Sequence, residues 1–102
     1  MKVHELKCWS EYFRALSRPE PRKRKTLEVR RNDRDYKVGD YLVLREYDPK
    51  TEKYLDNIQV FLVSHIVAEP FMTEGLIAMS LYAPSCAEVK DILDFRERAG
   101  RV

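Results

Sequence analysis

Glycine is scarce in this chain: three occur in 102 residues, beside two cysteines, two histidines and one tryptophan. So few glycines argue against a tightly coiled, fully closed barrel, whose corners call for them, and leave a partly open one equally acceptable. The two cysteines, Cys8 and Cys86, lie far apart, with no C-x-x-C pair and no matching histidine spacing. Zinc sites need closely spaced ligand pairs, so no metal and no cofactor is expected. The spacing leaves a disulfide open, but two free, partly buried thiols in a reducing cytoplasm are the expectation. No apolar run approaches the ~20 residues of a membrane span, and no signal-peptide pattern is present. A cytoplasmic protein is expected. Internal repeats and low-complexity tracts are absent too.

What the chain does have is charge. Apolar residues make up 44% and charged residues 35%, the mark of a globular domain with a heavily charged surface rather than of a disordered chain. Its length suits one domain spanning residues 1–102. The net charge is only +2, yet it is unevenly placed. Between Arg18 and Lys37 stand nine Lys/Arg against four Asp/Glu, a balance of +5, so the remainder carries −3. Gathered positive charge of this kind suits a polyanion or a phosphate-bearing partner.

Periodicity supplies an outline. Val3 to Trp9 alternates as a strand, with His4, Leu6 and Cys8 on one face and Glu5, Lys7 and Trp9 on the other. Ser10 is a candidate N-cap for a short helix, SEYFRALS, in which Tyr12 or Phe13 pairs with Leu16. Pro19 and Pro21 then break the helix and suggest an extended linker. KTLEVRR reads as a second strand, with Leu27 and Val29 toward the core and Thr26, Glu28 and Arg30 away from it. NDRDYKVGD is turn-rich, with Gly39 available for a positive φ, and leads into the strand YLVLREYD. DPKTEKYLDN reads as a polar hairpin connection. IQVFLVSHIVA, apolar on both faces, is expected to be central or bent, and the loop EPFMTEG precedes a last strand, LIAMSLY. Ser85 and Glu88 form a capping box that opens a C-terminal helix with Val89, Ile92 and Leu93 on one side. The sum is an α+β domain: about five mostly antiparallel strands curling toward a small barrel, with two short helices.

Chemistry concentrates at Lys25, Thr26, Glu28 and Arg30, with Lys7 and Trp9 on the first strand. Lys25 has the opposite parity to Glu28 and Arg30 and joins them only if it sits at a frayed strand entrance. A carboxylate between cations holds an Arg fork in position for a phosphate or a base edge. Alternating Glu and Arg on an exposed strand is also ordinary cross-strand pairing, and pattern alone favours that reading. Likewise Trp9 is a rim aromatic or a stacking platform, and Arg22, Lys23 and Arg24 are a solvated loop or added phosphate affinity. His4 and His65 read as strand-face residues without an assigned role.

These residues also carry a resemblance. Lys25, Glu28 and Arg30, spaced K-x-x-E-x-R, are similar to the core of the ASCH motif, G-x-K-x-x-E-x-R, of the PUA-like superfamily of small β-barrels. HELKCWSEYF before it and RRNDRDYKVGDYLVLREYD after it resemble a narrower phage and bacterial group within it, most of whose members are described as a domain of unknown function. The similarity runs from about His4 to Leu81. It implies a barrel with a cleft lined by Lys25, Glu28 and Arg30, Lys7 as a further characteristic residue, and Asn32, Asp33 and Arg34 shaping a turn at the rim. RNA or a nucleotide-like ligand is the implied partner.

Departures from the pattern matter. Lys23 stands where the motif has glycine, and SRPEPRKR replaces the usual short loop. Some ASCH relatives are amidohydrolases of N4-acylated cytidines built on Lys, Thr and Glu. Lys25 matches their Lys, but Glu28 occupies the Thr position, and only AEPFMTEG stands where their helical insertion carries the catalytic Glu, with Glu69 and Glu74 as unaligned candidates. The leading expectation is therefore an RNA- or nucleotide-binding module. A small hydrolase acting on modified nucleosides or RNA, with Lys25 and Glu28 as its candidate catalytic residues, is the alternative. A phage protein that binds a host protein partner is another.

Overall fold

The computed structural model describes residues 1–99. Five strands, β1 (Val3–Trp9), β2 (Leu27–Arg31), β3 (Tyr41–Asp48), β4 (Lys53–Val67) and β5 (Leu76–Tyr82), and two helices, α1 (Ser10–Ala15) and α2 (Cys86–Ala99), make up the regular structure. One mixed sheet runs β1-β3-β4-β5-β2. β1 and β3 are parallel, and the other three pairings are antiparallel.

The sheet curls into a half-barrel that brings its two edge strands together. Arg30 on β2 donates from Nη2 to the Lys7 carbonyl of β1 at 2.7 Å, and Arg34 donates from Nη1 to the Glu5 carbonyl at 3.0 Å. Free strand edges carry unsatisfied carbonyls; here two guanidinium groups cover those of β1 across the seam. β4 is central and bent, as a run apolar on both faces suggests, with register shifts against β3 and β5.

Two apolar clusters use the two faces. Inside the half-barrel Leu6, Leu42, Leu44, Val63, Ile77 and Met79 pack with Phe13 and Leu16 from α1 and the segment after it. On the other face Val43 and Val60 lie under Ile92 of α2, flanked by Val89 and Leu93. The capping box of α2 is formed: the Glu88 N–H donates to Ser85 Oγ at 3.2 Å, and the Ser85 N–H donates to Glu88 Oε1 at 3.3 Å. Gly39, at φ +95°, turns the chain into β3 where a side chain would be strained.

Several expectations need correction. β2 is turned over: Glu28 is buried, whereas Leu27 and Val29 are each 46% exposed. The register explains it, since Glu28 pairs with Met79 and Arg30 with Ile77, both of which face the interior. Ser10 is not the N-cap. Trp9 holds that position, and the Ser10 hydroxyl donates to the Tyr47 carbonyl at 3.4 Å. Phe13, not Tyr12, packs with Leu16. The linker after α1 is no extended strand: Pro21–Lys23 is a 3-10 turn, with Pro21 in the first turn where its missing N–H costs nothing. KYLDN belongs to β4 rather than to a connection. Cys86 is exposed, not partly buried, and both thiols are free.

Candidate functional site

Where the edges of the half-barrel meet, a cleft of about 850 Å³ opens. Its floor is a charged triad. Glu28 is 3% exposed, yet neither of its oxygens is orphaned. Oε1 takes the Lys25 ammonium and Oε2 takes Arg30 Nε at 2.7 Å. A buried carboxylate is costly unless paired and hydrogen-bonded, and two cations meet that requirement. Lys25 reaches the floor because it precedes β2. Its backbone N–H donates to the Ala15 carbonyl at 2.8 Å, which frees it from strand parity. Arg30 spends Nε on Glu28 and Nη2 on the Lys7 carbonyl, so its Nη1 donors remain available.

The walls differ in chemistry. Trp9 and Tyr12, each 51% exposed, present aromatic surface from the junction of β1 and α1. Arg18, Arg22, Lys23 and Arg24 line the cleft from the proline-braced loop. That loop is tied to itself. Arg24 donates from Nε to the Arg18 carbonyl at 2.5 Å and from Nη2 to the Pro19 carbonyl at 3.3 Å, while Arg18 Nη1 donates to the Lys23 carbonyl at 3.1 Å. Lys23 pairs with Glu20 at 3.4 Å in the open, a contact worth little in water. The result is a positive rim held in shape by its own backbone.

Cys8 also lines the cleft but is 3% exposed. Burial, aided by the negative charge of Glu28, pushes its thiol above the ordinary value. A protonated, buried thiol is a small apolar side chain and no nucleophile.

Lys25, Glu28 and Arg30 are brought together as the spacing suggests, with Trp9, Arg22, Lys23 and Arg24 around them. Lys7 contributes its carbonyl and part of the cleft lining, but its ammonium lies 4.1 Å from the centroid of the Tyr47 ring, a cation–π contact. Asn32 to Arg34 lie past the end of β2: the Asn32 N–H donates to the Gly75 carbonyl at 2.9 Å, and Asp33 and Arg34 line a smaller cleft beyond Arg30. Neither Glu69 nor Glu74 lines the large cleft, and Glu69 Oε1 accepts the Gly75 N–H at 2.5 Å.

Tyr12 and Arg18 escaped the reading of the sequence. Tyr12 follows Trp9 by three residues, one helical turn, and that spacing was the available signal. His4 escaped too. Its ring nitrogen Nε2 is 2.9 Å from Asp40 Oδ2 in the interior, and its ring packs against Tyr36. Asp40 also accepts the Lys2 and Lys37 backbone N–H groups, each at 3.0 Å, so the pair ties the start of β1 to the entrance of β3. Among the described residues no group of three or more His, Cys, Asp or Glu could hold a metal ion, and no helix is long and apolar enough to cross a membrane.

Compared with known families, residues 3–81 match the model described as a domain of unknown function (DUF3850). No curated protein matches the chain. The matched span holds all five strands but the last residue of β5, together with the whole charged floor and both walls of the cleft.

Proposed function

The chain belongs to the DUF3850 family, and from the chemistry of its cleft we propose that it is a binding module of the ASCH type, within the PUA-like superfamily, for single-stranded RNA or a nucleotide-type ligand. One observation carries the reading: the K-x-x-E-x-R residues converge in one cleft that is also lined by the exposed aromatics Trp9 and Tyr12 and by the basic residues of the proline-braced loop. A cleft of about 850 Å³ falls within the ordinary range for small-ligand sites, about 300–1,000 Å³. A base stacks on Trp9 or Tyr12, as exposed aromatics serve in sequence-tolerant single-strand binding. Arg30 Nη1 and Lys25 donate to the polar edge of the base or to a phosphate, and Glu28 fixes both cations in place while its remaining lone pairs accept an amino group. Arg22 and Lys23 meet the backbone. Single strands fit better than duplex DNA, because neither helix carries a basic face built for a major groove.

The test is fluorescence anisotropy with a labelled single-stranded RNA at several salt concentrations. The expected result is binding whose logarithm falls with log salt at a slope of roughly −0.7 per contacted phosphate. Absence of binding at low salt would sink the reading.

A further inference from the structure

Beyond Arg30 lies a second, smaller cleft of about 200 Å³, lined by Leu6, Arg30, Arg31, Asp33, Arg34 and Tyr36. Three arginines among the six residues that line so small a volume, against one aspartate, leave a local excess of positive charge. Their donors are not exhausted. Arg34 commits one nitrogen to the Glu5 carbonyl, Arg30 keeps Nη1, and Arg31 is exposed at the end of β2, its side chain without a hydrogen bond or ion pair among the described residues. Tyr36, 6% exposed, also lines it, and burial pushes its hydroxyl above the ordinary value although the charges of Arg34 and Arg30 pull the other way. Guanidinium groups with free, planar N–H pairs are matched to the oxygens of a phosphate. Arg30 lines both clefts and is the partition between them.

We infer that the cleft between Arg30, Arg31 and Arg34 is an oxyanion site that takes a phosphate group. Resting on the reading of the large cleft, a strand seated there passes over Arg30 and places a neighbouring phosphodiester on Arg31 and Arg34. This gives the N-D-R segment after β2 a role: it holds Arg34 across the seam, where one face of its guanidinium network serves β1 and the other faces the ligand.

Two titrations test it, both with wild type and Arg31→Gln, a change at an exposed residue that leaves the seam intact. In the first, inorganic phosphate is added to isotope-labelled protein and followed by NMR. Saturable shifts at residues 31–36 that disappear in Arg31→Gln are expected. Shifts that are absent, or that spread over Arg22–Arg24 and survive the substitution, overturn the site. In the second, an eight-nucleotide single-stranded RNA is titrated, and Arg31→Gln is expected to weaken binding about three- to tenfold and to reduce the salt slope by about 0.7. If Arg30→Ala abolishes RNA binding while Arg31→Gln leaves it unchanged, the phosphate position is wrong and the large-cleft reading stands. If no variant binds RNA while the phosphate shifts persist, the oxyanion site stands and the proposed function falls.

Discussion

Arg30→Ala is expected to weaken RNA binding by ten- to a hundredfold and to destabilise the fold by about 3 kcal/mol. The first figure follows from losing hydrogen bonds from a charged donor, worth about 1.5–3 kcal/mol. The second follows from what the side chain leaves behind. Glu28 stays buried with one cation instead of two, and the Lys7 carbonyl on β1 loses its cover. Breaking one side of a buried ion pair costs about 3–5 kcal/mol, and the partial exposure of Arg30 places this case at the low end. Arg30→Lys separates the two effects. A lysine can stay near Glu28 but cannot fork to the Lys7 carbonyl and the ligand at once. It should therefore recover part of the stability and little of the affinity. Urea unfolding beside the anisotropy titration checks both; equal recovery of both would mean that Arg30 acts on the ligand only by holding the fold.

The second large effect concerns Asp40. Burial pushes its carboxyl up, but the hydrogen bond from His4 and those from the Lys2 and Lys37 backbone N–H groups outweigh burial and leave it below the ordinary value. Asp40→Ala strips one buried and two part-buried donors of their acceptor, with an expected loss of about 3 kcal/mol. The pH dependence has a definite sign. A carboxyl whose folded pKa is depressed stabilises the fold fully above its unfolded value of about 3.9, and that contribution fades as pH falls through the folded value. Wild-type stability should thus drop as pH falls from about 5 toward 2. Glu46, held low chiefly by the hydrogen bond from the Asn57 amide, adds to the same slope. Asp40→Ala should show a shallower drop over that window, measured by urea midpoints at each pH. An unchanged slope would remove Asp40 from the account.

Much of the fold was legible because most strands have one face on a core. β1, β3 and β5 alternate or run apolar where that core demands it, and their bounds follow. β2 misled because its inner face is the floor of a cleft, where a carboxylate between two cations takes the place that Leu27 and Val29 were expected to hold. Periodicity assumes that the apolar side is inside; an edge strand beside a binding cleft breaks that assumption. The first half of β4 was hidden for a related reason. Lys53 to Asn57 are exposed throughout, so no alternation marks them, and their backbone pairing with β3 makes the strand. In the site, the motif resemblance grouped Lys25, Glu28 and Arg30, whereas strand parity alone set Lys25 on the opposite face and favoured ordinary charge pairing. The arginine bridges to β1 had no sequence signal, because they depend on the sheet curling until its edges meet.

The proposed function seats the ligand on the charged floor, among the aromatic and basic residues that line the same cleft. Its most direct test is an NMR titration of isotope-labelled protein with a short single-stranded RNA. That placement requires saturable shifts at the Trp9 indole, Tyr12, Lys25 and Arg30, with α2 and the face beneath it unmoved. Shifts confined to α2, or none at RNA concentrations that saturate other single-strand binders, would contradict it.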